Sequence, residues 1–347
     1  MFSHIPLWPD AASTNAGHVD ALYIYLVLIC ASMTVLIFAT LAVFAIKYRR
    51  SHNRTAHPID GSNLLEVAWT VIPFGIFLTF FVWGAVIFFD ERTPPQDSTE
   101  VYTVAKQWMW KFEHAEGQRE INELHVPIGR DVKMIMTSQD VIHSFYVPAF
   151  RIKQDVLPGR YTTAWFHATK AGTYHLFCAE YCGTEHSGMI GWVIVMEPRD
   201  YQAWLASGGG NQPMAVTGQT LFAEYGCSTC HRSDTEGRGP NLAGLYGKPV
   251  VLEDGRTLIA DENYIRESIV DPGAKIVQGF KPIMPTYQGQ ISDEQLNALV
   301  QYVKSVGQTS TGQASTGQAA TTQAAASQPT NDQNTQAQPA MMTGAAK

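Results

Sequence analysis

Two long runs without a charged side chain lie before residue 90, with a cluster of cations between them, and this pattern constrains the fold more than any other. Ala21 to Ile46 and Val67 to Phe89 contain no Asp, Glu, Lys or Arg. At about 1.5 Å per residue, each run can cross a hydrocarbon core about 30 Å thick. Pro73, inside the second run, is a site for a kink. Buried core helices are the competing reading, but uncharged runs above about 18 residues are the membrane signal. The first run is too long for a secretory leader, and no Lys or Arg precedes it. Lys47, Arg49, Arg50 and Arg54 separate the runs, while Asp90 and Glu91 follow the second. An excess of cations marks the cytoplasmic side, so both chain ends are expected outside. The expectation is a two-pass anchor within residues 1–97, its spans at about 21–46 and 67–89. Cys30 reads as a small apolar residue of the first span.

A length of 347 residues suggests two or three domains. The net charge of −7 argues against nucleic acid as a partner, because phosphate binding needs clustered Lys and Arg. Besides Cys30, the cysteines form two close pairs, Cys178/Cys182 and Cys227/Cys230. Close pairs with nearby histidines point to metal or haem more than to a disulfide framework.

Residues 98–200 read as short strands. Trp108, Trp110 and Phe112 alternate with Met109 and Lys111, and Val132, Met134 and Met136 alternate likewise. Turn signals at Pro127-Ile-Gly129, Pro158-Gly159 and Ala171-Gly172 divide the segment into the strands of a small β-sandwich. The chemistry lies in Cys178-Ala-Glu-Tyr-Cys182-Gly-Thr-Glu-His186-Ser-Gly-Met189, with His143 as a second imidazole. Thiolate and thioether donors favour copper, and imidazole is compatible with it. Two thiols four residues apart could bridge two copper ions, each keeping one His and one weak ligand. A Cys2His2 zinc site from Cys178, Cys182, His186 and His143 remains open, as does a disulfide. Neither gives Met189 a role. His125, His167 and His175 lack ligand-like neighbours and read as structural or solvent-facing, and His114, near the end of the aromatic strand, is assigned no role.

Tyr201 to Pro213 reads as a linker, most flexible at Ser207-Gly-Gly-Gly210. Cys227-Ser-Thr-Cys230-His231 is the attachment pattern of a c-type haem, two thiols for the vinyl groups and an adjacent His for the iron. Gly239-Pro-Asn-Leu242 follows at the distance seen in small class I cytochromes c, which residues 214–306 resemble. That resemblance implies an all-α domain in which the Pro240 carbonyl orients His231. Met284, followed by Pro285, matches the sixth ligand. Ser292 and Gln295 form a capping box ahead of Leu296, Leu299, Val300 and Val303, the apolar stripe of a terminal helix. Residues 307–347, rich in Thr, Gln, Ala and Ser, offer too few large apolar groups to fold and are expected to be disordered.

Ser138-Gln-Asp-Val-Ile-His143-Ser-Phe-Tyr-Val-Pro148, Leu157-Pro-Gly-Arg160 and the Cys178–Met189 loop resemble the dicopper domain of cytochrome c oxidase subunit II. The resemblance runs from the first span to about Pro198. With the added cytochrome, it extends to the caa3-type haem–copper oxidases. It implies a cupredoxin-like sandwich holding a binuclear copper A centre. Cys178 and Cys182 then bridge the coppers, His143 and His186 bind one each, and Met189 and the Glu180 carbonyl are the weak ligands. The Glu180 carboxylate is expected at a magnesium ion on the contact with subunit I. Trp108 matches the family's electron entry point, and Glu66 lies where the family has an acid near a proton path.

The same resemblance implies oxidase subunits I and III as partners, an external electron donor, and a bacterial inner membrane with both chain ends on the periplasmic side. The expected order is donor, haem c, copper pair, then subunit I, where oxygen is reduced to water and protons are pumped. An electron-entry subunit of a nitric oxide reductase and a membrane-anchored copper-handling protein are the competing readings. From Met214 to Val306 there are eleven acidic and eight basic residues, too balanced for docking by charge. A flexible tether supplying an effective concentration of about 1 mM, with no tight docking surface, is therefore expected.

Overall fold

The structure is a computed structural model and describes residues 8–51, 55, 60–208, 212–232 and 237–307. The described residues form one compact unit. The tail expected to be disordered lies, from Gln308 on, outside the described residues, as do Arg54 and Gly209, Gly210 and Asn211 of the expected linker.

Helices α1 (Thr14–Lys47) and α2 (Asn63–Arg92) open the chain. Ser13 caps α1 by accepting from the Ala16 N–H, and Ser62 caps α2 by accepting from the Leu65 N–H. Their mean hydropathies reach 2.6 and 2.3, and their large apolar side chains face outward. Such a surface suits lipid and not water. Pro73 lies within α2. Both helices outrun the uncharged segments. The first turns of α1 extend past the apolar run because they dock on protein. There Arg151 grips Asp20 through Nε (2.7 Å) and Nη2 (2.9 Å), and the Ala12 N–H donates to the Ala149 carbonyl. At the end of α2, the Trp165 indole donates to the Asp90 carbonyl.

Ten strands follow: β1 (Thr99–Lys106), β2 (Met109–His114), β3 (Arg119–Ile121), β4 (Glu123–Pro127), β5 (Asp131–Ser138), β6 (His143–Val147), β7 (Ile152–Val156), β8 (Thr162–His167), β9 (Gly172–Cys178) and β10 (Ile190–Met196). They form two sheets, ordered β3-β2-β1-β5-β8 and β4-β10-β9-β6-β7. The sheets enclose a core of Trp110, Phe112, Leu124, Val132, Met134, Met136, Phe145, Phe166 and Leu176. Trp110 and Phe112 face inward, as their alternation predicts, whereas Trp108 precedes β2 in the turn after β1. His167 pairs with Asp131, and His175 lies against Phe177 and Trp192.

The segment expected to be a linker from Tyr201 instead carries helix α3 (Pro198–Ser207). Tyr201 is buried, its hydroxyl bonds His114 Nδ1, and Trp204 stacks on His125. Glu120 bonds both histidines, one on each carboxylate oxygen. Pro198 at the first helical position, Asp200 in the first turn, and the spacing of Tyr201, Trp204 and Leu205 are the signals that mark this helix.

The last domain comprises α4 (Met214–Glu224), a short hairpin of β11 (Pro249–Val251) and β12 (Thr257–Ile259), α5 (Glu262–Val270) and α6 (Asp293–Ser305). The Ser292/Gln295 capping box forms, and Leu296, Leu299, Val300 and Val303 are buried. At the crossing of α4 and α6, a Cβ on Gly218 would fall 2.0 Å from the Ala298 carbonyl oxygen, so glycine alone permits this approach.

This domain does not hang free on its tether. It covers the outer face of the first sheet, where Tyr102, Ile135 and Tyr161 join Met214, Val250, Tyr264, Ile265, Val300 and Val303 in one buried cluster. That cover explains why Ile135 is as buried as Met134 and Met136 on the opposite face. A four-charge lattice lies beside the cluster. Lys304 bonds both oxygens of Glu100 (2.7 and 2.6 Å) and one of Glu262 (3.1 Å), while Lys133 bonds Glu262 (2.7 Å) and Glu100 (3.2 Å). The expectation of no tight docking surface fails because net charge is blind to local pairing. Two lysines and two glutamates cancel in the sum and still bind across the seam.

Burial alone would raise the Glu262 carboxyl, but the charges of Lys304 and Lys133 outweigh it and hold it at about 2, against 4.5 for the free group. A carboxyl depressed on folding contributes stability above its unfolded value and loses it as pH falls toward the folded one. Docking, read as hydrogen-exchange protection of α6, is expected to hold from about pH 8 to about pH 5. It should then fall progressively between pH 4.5 and about 2.

Candidate metal and haem centres

Strand geometry gathers the six expected copper-binding positions at one end of the second sheet, where the central strands β6, β9 and β10 meet. β6 runs antiparallel to β9 with Phe145 opposite Cys178, so the start of β6, at His143, lies beside the end of β9. β10 begins one residue after Met189, and the Cys178 N–H donates to the Met189 carbonyl to close the loop between them. The two sulfurs are 3.7 Å apart, and both cysteines stand as free thiols beyond the bond length of a disulfide. Cys178 Sγ lies 3.9 Å from His143 Nδ1 and 3.2 Å from the Glu180 carbonyl oxygen. Cys182 Sγ lies 3.4 Å from His186 Nδ1 and 3.8 Å from Met189 Sδ. His143, Cys178, Cys182 and Met189 are buried, while the Glu180 side chain is exposed.

Each sulfur thus has one imidazole and one weak donor beside it, a doubled arrangement around a sulfur pair. A single tetrahedral zinc ion would leave Met189 and the Glu180 carbonyl without purpose. Desolvation raises both thiols, but the His143 ring and nearby backbone groups bring Cys178 down to about 6. Desolvation and the neighbouring Cys178 charge push Cys182 up to about 12. Ionising both sulfurs together therefore calls for the positive charge of bound metal, which fits a thiolate-bridged copper pair.

Supporting groups were not legible as such in sequence. Asp140 accepts from His143 Nε2 at 2.8 Å, which turns Nδ1 toward the sulfurs. Gln107 Nε2 (2.7 Å) and the Trp108 indole (3.2 Å) donate to the Cys182 carbonyl. The only advance sign of Asp140 was its place three residues before His143. Glu66 lies apart from this site, exposed in the first turn of α2.

In the last domain, Cys227, Cys230, His231, Pro240 and Met284 all line one cavity of about 570 Å³, whose other walls include Tyr264, Ile269, Leu299 and Val303. His231 Nδ1–H donates to the Pro240 carbonyl at 2.8 Å, which leaves Nε2 as the free ligand nitrogen. A Cβ on Gly239 would fall 2.8 Å from the His231 ring, so the glycine lets backbone pack flat against the imidazole. Two thiols, an oriented imidazole, a thioether and an apolar cavity are what a covalently held haem requires.

Comparison with known proteins agrees with this division. Residues 4–84 match the family model described as cytochrome c oxidase subunit II, transmembrane domain. Residues 117–197 match its periplasmic domain, and residues 215–307 match cytochrome c. Cytochrome c oxidase subunit 2 of Alkalihalophilus pseudofirmus is 29% identical over 81% of this chain and 84% of its own length. The subunit 2 of Thermostichus vulcanus is 30% identical over 58% of this chain and 78% of its own length. The alternative cytochrome c oxidase subunit 2 of Bradyrhizobium diazoefficiens is 30% identical over 58% of this chain and 83% of its own. A copper A centre and a haem c are the cofactors that these two domain types imply. With its two apolar helices, its sandwich and its fused cytochrome c domain, the chain belongs to the cytochrome c oxidase subunit II family, as a membrane-anchored oxidase subunit.

Proposed function

We propose that this chain is the electron-entry subunit of a proton-pumping terminal oxidase, taking electrons from an outside donor and passing them to subunit I. The observation that carries the reading is the sulfur pair at 3.7 Å with an imidazole and a weak donor beside each sulfur, in one chain with the haem-type cavity. When bound, the copper pair and the haem supply reversible one-electron chemistry. Cys178 and Cys182 would hold the copper pair together, with His143 and His186 as its imidazole ligands and Met189 and the Glu180 carbonyl as its weak ones. Cys227 and Cys230 would fasten the haem, His231 and Met284 would be its ligands, and Pro240 holds His231 in orientation. With these ligand sets filled, the chain would relay electrons, and reduction of oxygen to water would fall to subunit I. The exposed Glu180 carboxylate suits a magnesium ion at that contact, Glu66 suits a proton-path entrance, and Trp108, bonded to the Cys182 carbonyl, suits entry from outside. The basic loop and apolar helices support a two-pass anchor with both ends on the outer side; a bacterial inner membrane and subunit III as a further partner follow from the family resemblance alone.

Low-temperature EPR and a pyridine haemochrome assay on the full chain test the reading. A mixed-valence signal split by two equivalent copper nuclei, with one haem c per chain, is expected. Zinc in place of copper, or no copper signal, would remove the relay. Met284→Ala is expected to keep the haem attached but to lower its midpoint potential, because a thioether ligand raises it. Each fall of about 59 mV moves the electron about tenfold back toward the donor. A redox titration that found no change would exclude Met284 as the ligand.

A further inference from the structure

One helix separates the haem cavity from the sandwich. α6 lends Leu299 and Val303 to the cavity wall and turns Glu294, Asn297, Gln301 and Lys304 toward the strands. A helix is about 10 Å across, so the crossing is short wherever its far side meets a group joined to the copper ligands. That meeting is at its first turn. Ile291 lines the cavity, and three residues on Glu294 accepts from Lys111 Nζ at 2.9 Å and from Gln139 Nε2 at 3.2 and 3.3 Å. Gln139 is bonded through the backbone to Asp140, which holds His143 Nε2 at 2.8 Å, and the other nitrogen of His143 faces Cys178. Covalent and hydrogen bonds thus run unbroken from the cavity wall to a copper ligand. Trp108 approaches the sulfur pair through the Cys182 carbonyl instead, and that hydrogen bond stays within the sandwich.

We propose that the internal electron crossing between the two domains runs through the Glu294–Gln139 contact to His143 and bypasses Trp108, with Glu294 as the positioning residue that sets the gap. The proposal rests on the electron-relay reading above. One electron is lost at the haem iron and gained at the copper pair. No bond is made or broken, and no proton has to move.

The test uses the full chain in its oxidase complex, with two readouts. Hydrogen-exchange protection of the amides from Ser292 to Asn297 reports docking, and flash photoreduction reports passage from haem to copper. Glu294→Lys sets two lysines face to face and is expected to lower protection about tenfold, with passage slowing alongside. Adding Lys111→Glu restores the pair with its charges exchanged and should recover both. Gln139→Leu breaks the bonded chain without changing charge, so it should slow passage while protection stays, a separation that a merely structural role would not produce. The proposal is overturned if Trp108→Phe, and not Gln139→Leu, is the change that slows passage, or if Glu294→Lys loses protection with passage intact. A native complex that passes no electron from haem to copper would instead bring down the relay reading itself.

Discussion

Lys304→Met undocks the cytochrome domain, at a cost of about 3–5 kcal/mol of interdomain stability. The cause is buried negative charge stripped of its partner, more than any change in packing. Lys304 is almost fully buried, its ammonium bonded to Glu100 and Glu262, with the rings of Tyr246 and Tyr102 at 4.8 and 6.0 Å. With it gone, Lys133 alone faces two half-buried carboxylates, their side chains 19% and 13% exposed. A methionine fills the space and keeps the apolar stem, so the seam stays filled. The double variant Lys304→Met with Glu100→Gln removes one charge of each sign and leaves Glu262 paired with Lys133 at 2.7 Å. It should recover most of the loss. Hydrogen exchange along α6 and β1 is the measurement. If the double variant is as damaged as the single one, the lattice acts through shape and not through charge balance.

How much of this was legible in the sequence varies by interaction range. The spans were readable because absence of charge over a long run is a local property. The α6 capping box, the Cys–His haem pattern and the copper loop were readable for the same reason, since each places its donors within a dozen residues. What escaped were partners distant in sequence. Nothing near Glu100 announces Lys304, 204 residues away, and nothing near Gln139 announces Glu294. The tether reading failed there, because a balanced charge count says nothing about which charges meet. Helix α3 failed for a different reason. The glycine run beyond it reads as a linker and masks the amphipathic turn of Tyr201, Trp204 and Leu205. The strands told less than they could because alternation assumes one wet face. In β5 the burial of Ile135 beside Met134 and Met136 records a second domain lying on the sheet. Both ligand sets could be proposed residue by residue from motif, but their supports, Asp140 on His143 and Gln107 on the Cys182 carbonyl, needed the fold.

Cys182→Ser abolishes the copper pair while leaving the haem and the sandwich in place. Cys182 is 2% exposed and its sulfur sits among Cys178 Sγ, His186 Nδ1 and Met189 Sδ, all within 3.8 Å. A serine hydroxyl nearly reproduces the thiol's size, so the core keeps its packing, but it does not ionise at neutral pH and is a hard donor to a soft metal. Cys178 would then keep one imidazole, His143, and could hold at most one copper ion. Loss of a supporting group beyond the ligands typically costs ten- to a hundredfold in metal affinity, and loss of a bridging ligand is expected to exceed about a hundredfold. Cys178→Ser should match it, although His143 and His186 are differently placed, because a bridge needs both sulfurs. For the same reason the double variant should lose no more of the mixed-valence signal than either single one. Copper content and EPR of the purified chain decide the matter, with the pyridine haemochrome as the internal check on folding. A variant that kept a mixed-valence pair with one thiolate would show that the sulfurs do not bridge, and the doubled geometry around them would need another explanation.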